Sequence, residues 1–174
     1  MLAFYLTLLS TQQQKADFER LYYDHRKLVK HIARGITQNE ALAEEAAQET
    51  FLKIVKCIEK FDGLDDYQTK GLIAIIAKRT AVAHMVKEKQ QSALSFDDII
   101  VQEPEALEAL PHHNPLLDVI HSLPREQCEL LLMLYYYGFS RKKAAEILSI
   151  NYATLRKRLQ RAKSALRTAL EKMR

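Results

Sequence analysis

The segment Ser140–Arg167, SRKKAAEILSINYATLRKRLQRAKSALR, contains the pattern that decides how this chain is interpreted. Ser140 is a favourable N-cap and predicts a helix from Arg141, and Asn151 can cap a second helix after a break at 149–151. In that second helix apolar residues recur at steps of three and four and form one narrow stripe, which predicts a buried seam along the helix: Leu155, Leu159, Ala162, Leu166, Ala169, Leu170 and Met173. Two helices joined by a short turn, the second with polar residues at its start, indicate a helix-turn-helix over 140–160.

Basic residues are concentrated at this end of the chain. From Arg141 to Arg174 eleven Lys and Arg face two acidic residues, a local net charge of +9 compared with +4 for the whole chain. A solvated surface helix can also be basic outside and apolar inside, so the pattern alone does not prove nucleic-acid binding. The charge asymmetry favours DNA binding, because the start of the second helix is the part that enters a major groove.

The composition favours helices and an anionic partner. The chain has 174 residues, 48% of them hydrophobic, with four Gly and four Pro, and its pI is about 9.0. Cys57 and Cys128 lack CxxC spacing, which predicts a reducing compartment and a packing role. His112 and His113 are adjacent and cannot share one helical face, so we predict no metal site and no cofactor.

The first ten residues, MLAFYLTLLS, are apolar but have no basic leader and no small-residue cleavage site. They are too short to span a bilayer and do not resemble a signal peptide. We therefore expect residues 2–11 to start a packed helix in a cytoplasmic protein without direct membrane insertion.

Three long helices are predicted in the first half of the chain, at Lys15–Thr37, Glu40–Phe61 and Thr69–Gln90. From Gln90 to Leu123 there is no Lys or Arg, and three prolines interrupt any long helix. The expected fold is all-α, with two small helical domains at 1–91 and 116–174 joined by an acidic linker at 92–115.

The second predicted domain opens at Leu123-Pro124, with proline in the first turn of a helix. Its run CELLLMLYYY is apolar almost all round, which predicts a buried central helix. Gly138 is expected to end this helix, because glycine readily adopts the left-handed backbone of a helix C-terminus.

At this point the residues resemble a known family. The run HSLPREQCELLLMLYYYGFSRKKAAEILSINYATLRKRLQRAKSALR is similar to the C-terminal domain of bacterial RNA polymerase sigma factors of the sigma-70 family. The segments FERLYYDHRKLVKHIA, AEEAAQETFLKIVKCIEKF and IIAKRTAVAHMVKEK resemble the family's N-terminal domain in the same order. The resemblance runs from about residue 18 to 170 and is to the two-domain extracytoplasmic-function (ECF) type.

The resemblance implies three contact surfaces. Residues 43–52 match the helix that docks on core RNA polymerase, at the clamp coiled coil of its largest subunit, with these contacts: Glu45, Gln48, Glu49 and Leu52. The third helix matches the element that reads and melts the −10 promoter element, where the basic candidates are Lys78, Arg79, His84, Lys87 and Lys89. The helix-turn-helix matches the reader of the −35 element, with these candidates: Asn151, Tyr152, Thr154, Arg156, Lys157, Arg158 and Arg161.

The match has departures from the family pattern. Arg79 and Ala83 occupy positions at which the third helix often carries Asn and Asp, Leu72 replaces a common Trp, and Val86 replaces a basic residue. Ser149 stands in the helix-turn-helix turn where Gly is frequent.

The leading hypothesis is a sigma factor that directs promoter-specific initiation and is not itself an enzyme. Its implied partners are core RNA polymerase, including its flap, promoter DNA and an anti-sigma factor. An alternative is a stand-alone helix-turn-helix regulator whose helical N-terminal half senses a ligand or dimerises. An enzyme is the third hypothesis. Paired carboxylates such as Glu44/Glu45 and Asp65/Asp66 are present, but no base and nucleophile are spaced to act together with them.

Overall fold

The structure, a computed structural model, describes residues 1–91 and 115–172. Over these residues the chain forms helices and no strand, which confirms the predicted all-α class. The predicted linker lies outside the described residues apart from Pro115. The α-helices are α1 Leu2–Thr7, α2 Gln12–Thr37, α3 Glu40–Lys56, α4 Asp66–Gln91, α5 Pro115–His121, α6 Arg125–Leu131, α7 Arg141–Ile147 and α8 Tyr152–Lys172.

The chain divides into two compact units. Within the described residues, the first unit contains Met1–Gly63 and residues 72–91, and the second contains Leu64–Gly71 and residues 115–172. The first turns of α4 therefore belong to the second unit.

The core of the first unit is formed by buried residues of α1, α2, α3 and α4. The predicted apolar faces of α2 and α3 are its main contributors, and the largest fully buried side chains include Phe18, Ile32, Ile54 and Ile73. Exposing these side chains to water would each cost about 1.5–3 kcal/mol. Packing of one face of each helix therefore holds these helices together.

The expected packed helix at the N-terminus is α1, and Tyr5 is its anchor. The Tyr5 ring lies within an aromatic cluster, with its centroid 5.7 Å from that of Phe18 and 6.1 Å from those of Tyr22 and Phe51. Burial raises the pKa of Tyr5 to about 12, so its hydroxyl stays protonated. That hydroxyl donates to the main-chain oxygen of Gln48 at 3.3 Å and ties α1 to α3.

Helix caps explain why two helices begin earlier than predicted. α2 starts at Gln12 because Thr11 forms a capping box, in which the Thr11 hydroxyl accepts from the Gln14 amide and the Gln14 side chain accepts from the Thr11 amide. α4 starts at Asp66, where the Asp65 carboxylate accepts from the Gln68 amide at 2.7 Å.

The predicted helix Glu40–Phe61 is shorter than expected. Its N-cap is Asn39, whose side-chain oxygen accepts from the Leu42 amide at 3.1 Å. α3 ends at Lys56, because Cys57 leaves helical backbone geometry with a φ of −129°, and a separate 3-10 turn follows at Ile58–Phe61.

In the second unit the predicted central helix is present but not regular. α6 continues into a π-helical segment, Leu132–Tyr136, in which the Tyr137 amide donates to the Leu132 oxygen at 2.8 Å. Leu131 and Met133 are fully buried, as the apolar run predicted. Gly138 follows with a φ of +69°, which confirms the expected left-handed end of the helix.

Candidate nucleic-acid and polymerase interfaces

The helix-turn-helix is formed by α7 and α8. The Ser140 hydroxyl accepts from the Lys143 amide at 3.1 Å, and the Asn151 side-chain oxygen accepts from the Thr154 amide at 2.7 Å, so both predicted N-caps are confirmed. Ser149 adopts a left-handed φ of +53°, and the following Ile150 amide donates to the Ala145 oxygen at 3.0 Å. This turn reverses the chain between the two helices without a glycine.

Only the first half of the apolar stripe of α8 is buried. Leu155, Leu159 and Ala162 pack into the core of the unit, as predicted. Further along, Leu170 is 40% exposed and lines an open groove of about 640 Å³, together with Leu166. The prediction of a buried seam along the whole helix is therefore wrong beyond Ala162, and Met173 lies outside the described residues.

The predicted −35 residues gather on the exposed side of the first turns of α8. Tyr152 is half exposed, Thr154 is half-buried, and the exposed basic side chains are Arg156, Lys157, Arg158 and Arg161. A basic surface at this end of the second helix matches the way in which such motifs enter a major groove.

Two of these candidates have contacts within the chain. The side-chain oxygen of Asn151 is engaged in its helix cap. One guanidinium nitrogen of Arg158 lies 3.8 Å from a carboxylate oxygen of Glu126 in α6, and both side chains are well exposed. A surface ion pair of this kind contributes little to stability, about 0–1 kcal/mol. Arg158 can therefore leave Glu126 at small cost.

The predicted −10 residues lie along the second half of α4 and differ in exposure. Lys87 is exposed, whereas Lys78, Arg79 and Lys89 are half-buried. The side chain of His84 is only 17% exposed. The structure therefore does not place these five residues on one open face.

The predicted polymerase contacts form a face of α3. Glu45 is exposed, Gln48, Glu49 and Leu52 are half-buried, and the neighbouring Phe51 is buried. The three polar side chains give this face acidic and amide groups, while Leu52 adds an apolar contact.

The α3 face is connected to α4 by a polar network that the sequence analysis did not anticipate. One carboxylate oxygen of Glu49 lies 2.5 Å from Nε2 of His84, and the other lies 2.8 Å from Nζ of Lys53. Lys53 also donates to the Thr80 hydroxyl at 3.1 Å. The Lys53 ammonium and the His84 ring together hold the pKa of the Glu49 carboxyl below its usual range.

A second set of ion pairs joins α3 to α2. The Lys30 ammonium lies 2.9 Å from Glu44 and 3.3 Å from Glu40, and the Arg34 guanidinium forms a pair with Glu40. These groups are well exposed, so their contribution to stability is small. Because these pairs also join α3 to a neighbouring helix, they can be compared with the network between α3 and α4.

The described residues contain no cluster of His, Cys, Asp and Glu that could hold a metal ion. Cys57 is half-buried, and burial raises the pKa of its thiol, while Cys128 is buried. No helix in the described parts of the chain is long and apolar enough to cross a bilayer.

Comparison with protein-family models finds a match in each half of the chain. Residues 21–91 match the model for sigma-70 region 2, and residues 113–166 match the model for sigma-70 region 4. Together the two matches cover more than two thirds of the chain. The chain belongs to the sigma-70 family. It is a sigma factor, and its partners are core RNA polymerase, which it binds, and the promoter DNA at which it directs initiation.

Individual relatives are distant. The ECF sigma factor SigM of Bacillus subtilis is 24% identical over 153 residues, which cover 86% of this chain and 92% of SigM. The probable sigma factor RfaY of Xanthomonas campestris is 24% identical over 146 residues, but the chain spans only 36% of its length. Among solved structures, the sigma factor RpoE in complex with the anti-sigma factor NepR from Bartonella quintana is 19% identical and has a TM-score of 0.48, with 89% of this chain and 97% of that chain covered.

Proposed function

We propose that this sigma factor uses three separate surfaces: the open face of α3 for core RNA polymerase, the basic end of α4 for the −10 element and the start of α8 for the −35 element. The observation that carries the proposal is the exposed basic surface at the start of α8, directly after a capped helix-turn-helix turn. The family match in both halves supports the other two surfaces.

At the −35 element, Arg156 and Lys157 are the first candidates for base-edge contacts. Both are exposed and lie within the first two turns of α8, near the N-terminal end that contacts base edges in motifs of this kind. Arg161, one turn further along, is assigned to a phosphate. Phosphate contacts supply affinity and position, and base contacts supply sequence choice.

At the −10 element, Lys87 is the first candidate for a phosphate contact, because it is the exposed basic residue among the five predicted on α4. Arg79 and Ala83 replace the Asn and Asp often found in the family, so the bases of this element are read by a different set of side chains. Promoter melting is driven by binding of unstacked bases and uses no nucleotide hydrolysis.

Three further expectations belong to the same proposal. The polymerase performs the chemistry, and this chain is not an enzyme. It acts in the cytoplasm, where the polymerase and the genome are found. An anti-sigma factor binds it, as NepR binds the sigma factor RpoE of Bartonella quintana.

Run-off transcription with bacterial core polymerase tests the proposal directly. Fragmented genomic DNA from the source organism serves as template, with and without the full chain. We expect discrete new transcripts whose start sites share two spaced upstream elements. The matched control is a variant with both Arg156→Ala and Lys157→Ala, which should lose those transcripts while still binding core polymerase.

A different pair of results would support the stand-alone regulator instead. If no transcripts appear, and the chain alone binds duplex DNA at a palindromic site, it acts as a stand-alone helix-turn-helix regulator. The departures at Arg79 and Ala83 would then explain why α4 does not melt a promoter.

A further inference from the structure

Glu49 and His84 carry different expected roles but contact each other. The family resemblance assigns Glu49 to the polymerase surface and His84 to the −10 element. In the structure their side chains meet at 2.5 Å between a carboxylate oxygen and Nε2, across the boundary between α3 and α4. Either side chain must therefore break this contact before it can bind polymerase or DNA.

Both oxygens of the Glu49 carboxylate are engaged. Lys53 approaches the second oxygen at 2.8 Å and also donates to Thr80, whose hydroxyl in turn donates to the Ile76 oxygen at 2.9 Å. Thr80 is fully buried. The network therefore extends from the surface of α3 to the buried Thr80 of α4. An exposed ion pair alone would not reach a buried group.

The environment of His84 is equally defined. Its ring is 17% exposed, and its second nitrogen, Nδ1, lies 3.8 Å from a carboxylate oxygen of Glu45. To contact a DNA phosphate, the ring would have to leave Glu49 and move past two carboxylates that repel the same phosphate. Breaking the hydrogen bond to the charged Glu49 carboxylate would itself oppose this movement. Both the geometry and the charge therefore oppose a direct DNA contact.

We propose that Glu49 and His84 are positioning residues, which together with Lys53 and Thr80 hold α4 against the polymerase-binding helix α3. This inference rests on the proposed function and refines the assignment of two of its residues. Polymerase contact then falls to the other members of the α3 face, Glu45, Gln48 and Leu52. DNA contact falls to exposed residues such as Lys87, which lies one turn beyond His84 on the same side of α4.

The role of the pair is to keep the DNA-contacting end of α4 in a fixed position relative to the bound polymerase. Binding energy for unstacked bases is used efficiently only if the side chains that contact them are already in place. Loss of the pair should therefore reduce promoter opening by the assembled holoenzyme and should leave the affinity of the chain for core polymerase unchanged.

A double-mutant cycle on the holoenzyme tests this inference. The variants are Glu49→Ala, His84→Ala and the double variant, each assayed for core affinity and for promoter opening at saturating core. We expect each single variant to reduce opening by about tenfold and the double variant to be no worse than either, since residues in contact are not additive. Core affinity should stay within about twofold of the wild-type value.

Conservative and matched variants separate positioning from general damage to the fold. Glu49→Gln keeps an oxygen that can accept from the His84 ring and should restore most of the opening activity. Lys30→Ala breaks the exposed pair with Glu44 that joins α2 to α3, and it should change neither readout. The thermal midpoint of every variant is measured, so that loss of opening in an unfolded protein is recognised.

A nuclear magnetic resonance measurement gives an independent readout. The ring nitrogen signals of His84 in the full chain should shift on Glu49→Ala and return towards the wild-type values with Glu49→Gln. Unchanged His84 signals in Glu49→Ala would mean that the pair does not form in solution and would overturn the inference.

Two outcomes of the core-affinity and promoter-opening assays would also contradict the inference. If Glu49→Ala weakens core binding and His84→Ala does not, Glu49 is a polymerase contact. If His84→Ala reduces opening and Glu49→Ala has no effect, His84 contacts DNA directly. Failure of the wild-type chain to bind core polymerase at all would be a different result, because it would overturn the proposed function and the inference with it.

Discussion

The two helices proposed to contact DNA, α4 and α8, present their polar side chains in opposite ways. The start of α8 buries a narrow stripe and exposes most of its other side chains, including several Arg and Lys. The middle of α4 is surrounded by other residues, and its buried positions are Leu72, Ile73, Ala74, Ile75, Ala77, Thr80 and Ala81. One helix is a surface element and the other is part of the core.

This difference separates recognition from support. On α8 a polar side chain can be changed with little effect on packing, so its contribution to DNA binding is local. On α4 the polar side chains of Thr80 and His84 are connected to α3, and a change there alters the position of the helix as well as its surface. Substitutions on the −35 surface should therefore destabilise the fold less than substitutions on the −10 surface. They should still change promoter choice.

The largest effect should come from the core of α4. Ile73 is 0% exposed, and Ile73→Ala should lower the free energy of unfolding by about 2–5 kcal/mol, through lost burial and the cavity left behind. Urea denaturation of the full chain measures this loss. Lys157→Ala on the exposed side of α8 is the control and should stay within about 0.5 kcal/mol. A loss below about 1 kcal/mol for Ile73→Ala would mean that α4 is not a core helix, and the comparison would fail.

The next effect concerns DNA affinity at the start of α8. Arg156→Ala or Lys157→Ala should weaken promoter binding by the holoenzyme by about 1–3 kcal/mol if the side chain contacts a base, with no change in thermal stability. Binding is measured on the identified promoter and on variants of its −35 element at two salt concentrations. A phosphate contact would instead weaken all sequences alike and lower the salt dependence by about one ion.

Arg158→Ala is the comparison variant for this measurement. One of its guanidinium nitrogens lies 3.8 Å from a carboxylate oxygen of Glu126. We expect a loss comparable to that of Lys157→Ala, because the exposed pair with Glu126 is cheap to break. Full promoter use by all three variants would show that α8 is placed wrongly on the DNA.

A smaller effect tests the cap of α8, where folding and recognition meet in one residue. Asn151→Ala removes the acceptor for the Thr154 amide and should lower stability by about 0.5–2 kcal/mol. Asn151→Asp keeps a cap of similar strength and should keep the stability, while it adds a negative charge close to DNA. Calorimetry and promoter binding on both variants therefore separate the two roles. Equal stability of Asn151→Ala and wild type would show that the cap contributes nothing.

Local signals explain why much of the fold could be predicted from the sequence. A cap and the helix it begins are neighbours in the chain, so Ser140, Asn39 and Asn151 were identifiable from a few residues each. The caps at Thr11 and Asp65 use the same chemistry and were available in the sequence. The π-helical segment was not, because an apolar run such as CELLLMLYYY carries no periodicity that could reveal a change of pitch.

Contacts between helices explain what remained hidden. The stripe of α8 continues through Leu166 and Leu170, but burial needs a neighbouring element as well as a stripe, and there the stripe faces an open groove. Glu49 and His84 are 35 residues apart, and no repeat within either helix relates their positions. The sequence could place each residue on a helix that the family uses for binding, but it could not show that the two bind each other.

The smallest effect is expected in the turn that positions α8. Ser149 has a φ of +53°, a conformation that costs an L-residue about 1–2 kcal/mol and that glycine adopts freely. Ser149→Gly should therefore raise stability, but by no more than about 1 kcal/mol, since glycine also gains freedom in the unfolded chain. Gln38→Gly tests the same reasoning in the first unit, where Gln38 ends α2 with a φ of +51°. Ser149→Ala is the control, because alanine keeps the strain and should give no gain. If thermal unfolding shows that glycine destabilises both turns, the side chains of Ser149 and Gln38 stabilise these helix ends by more than the left-handed backbone costs. The turn before α8 would then depend on its side chains as much as α4 does.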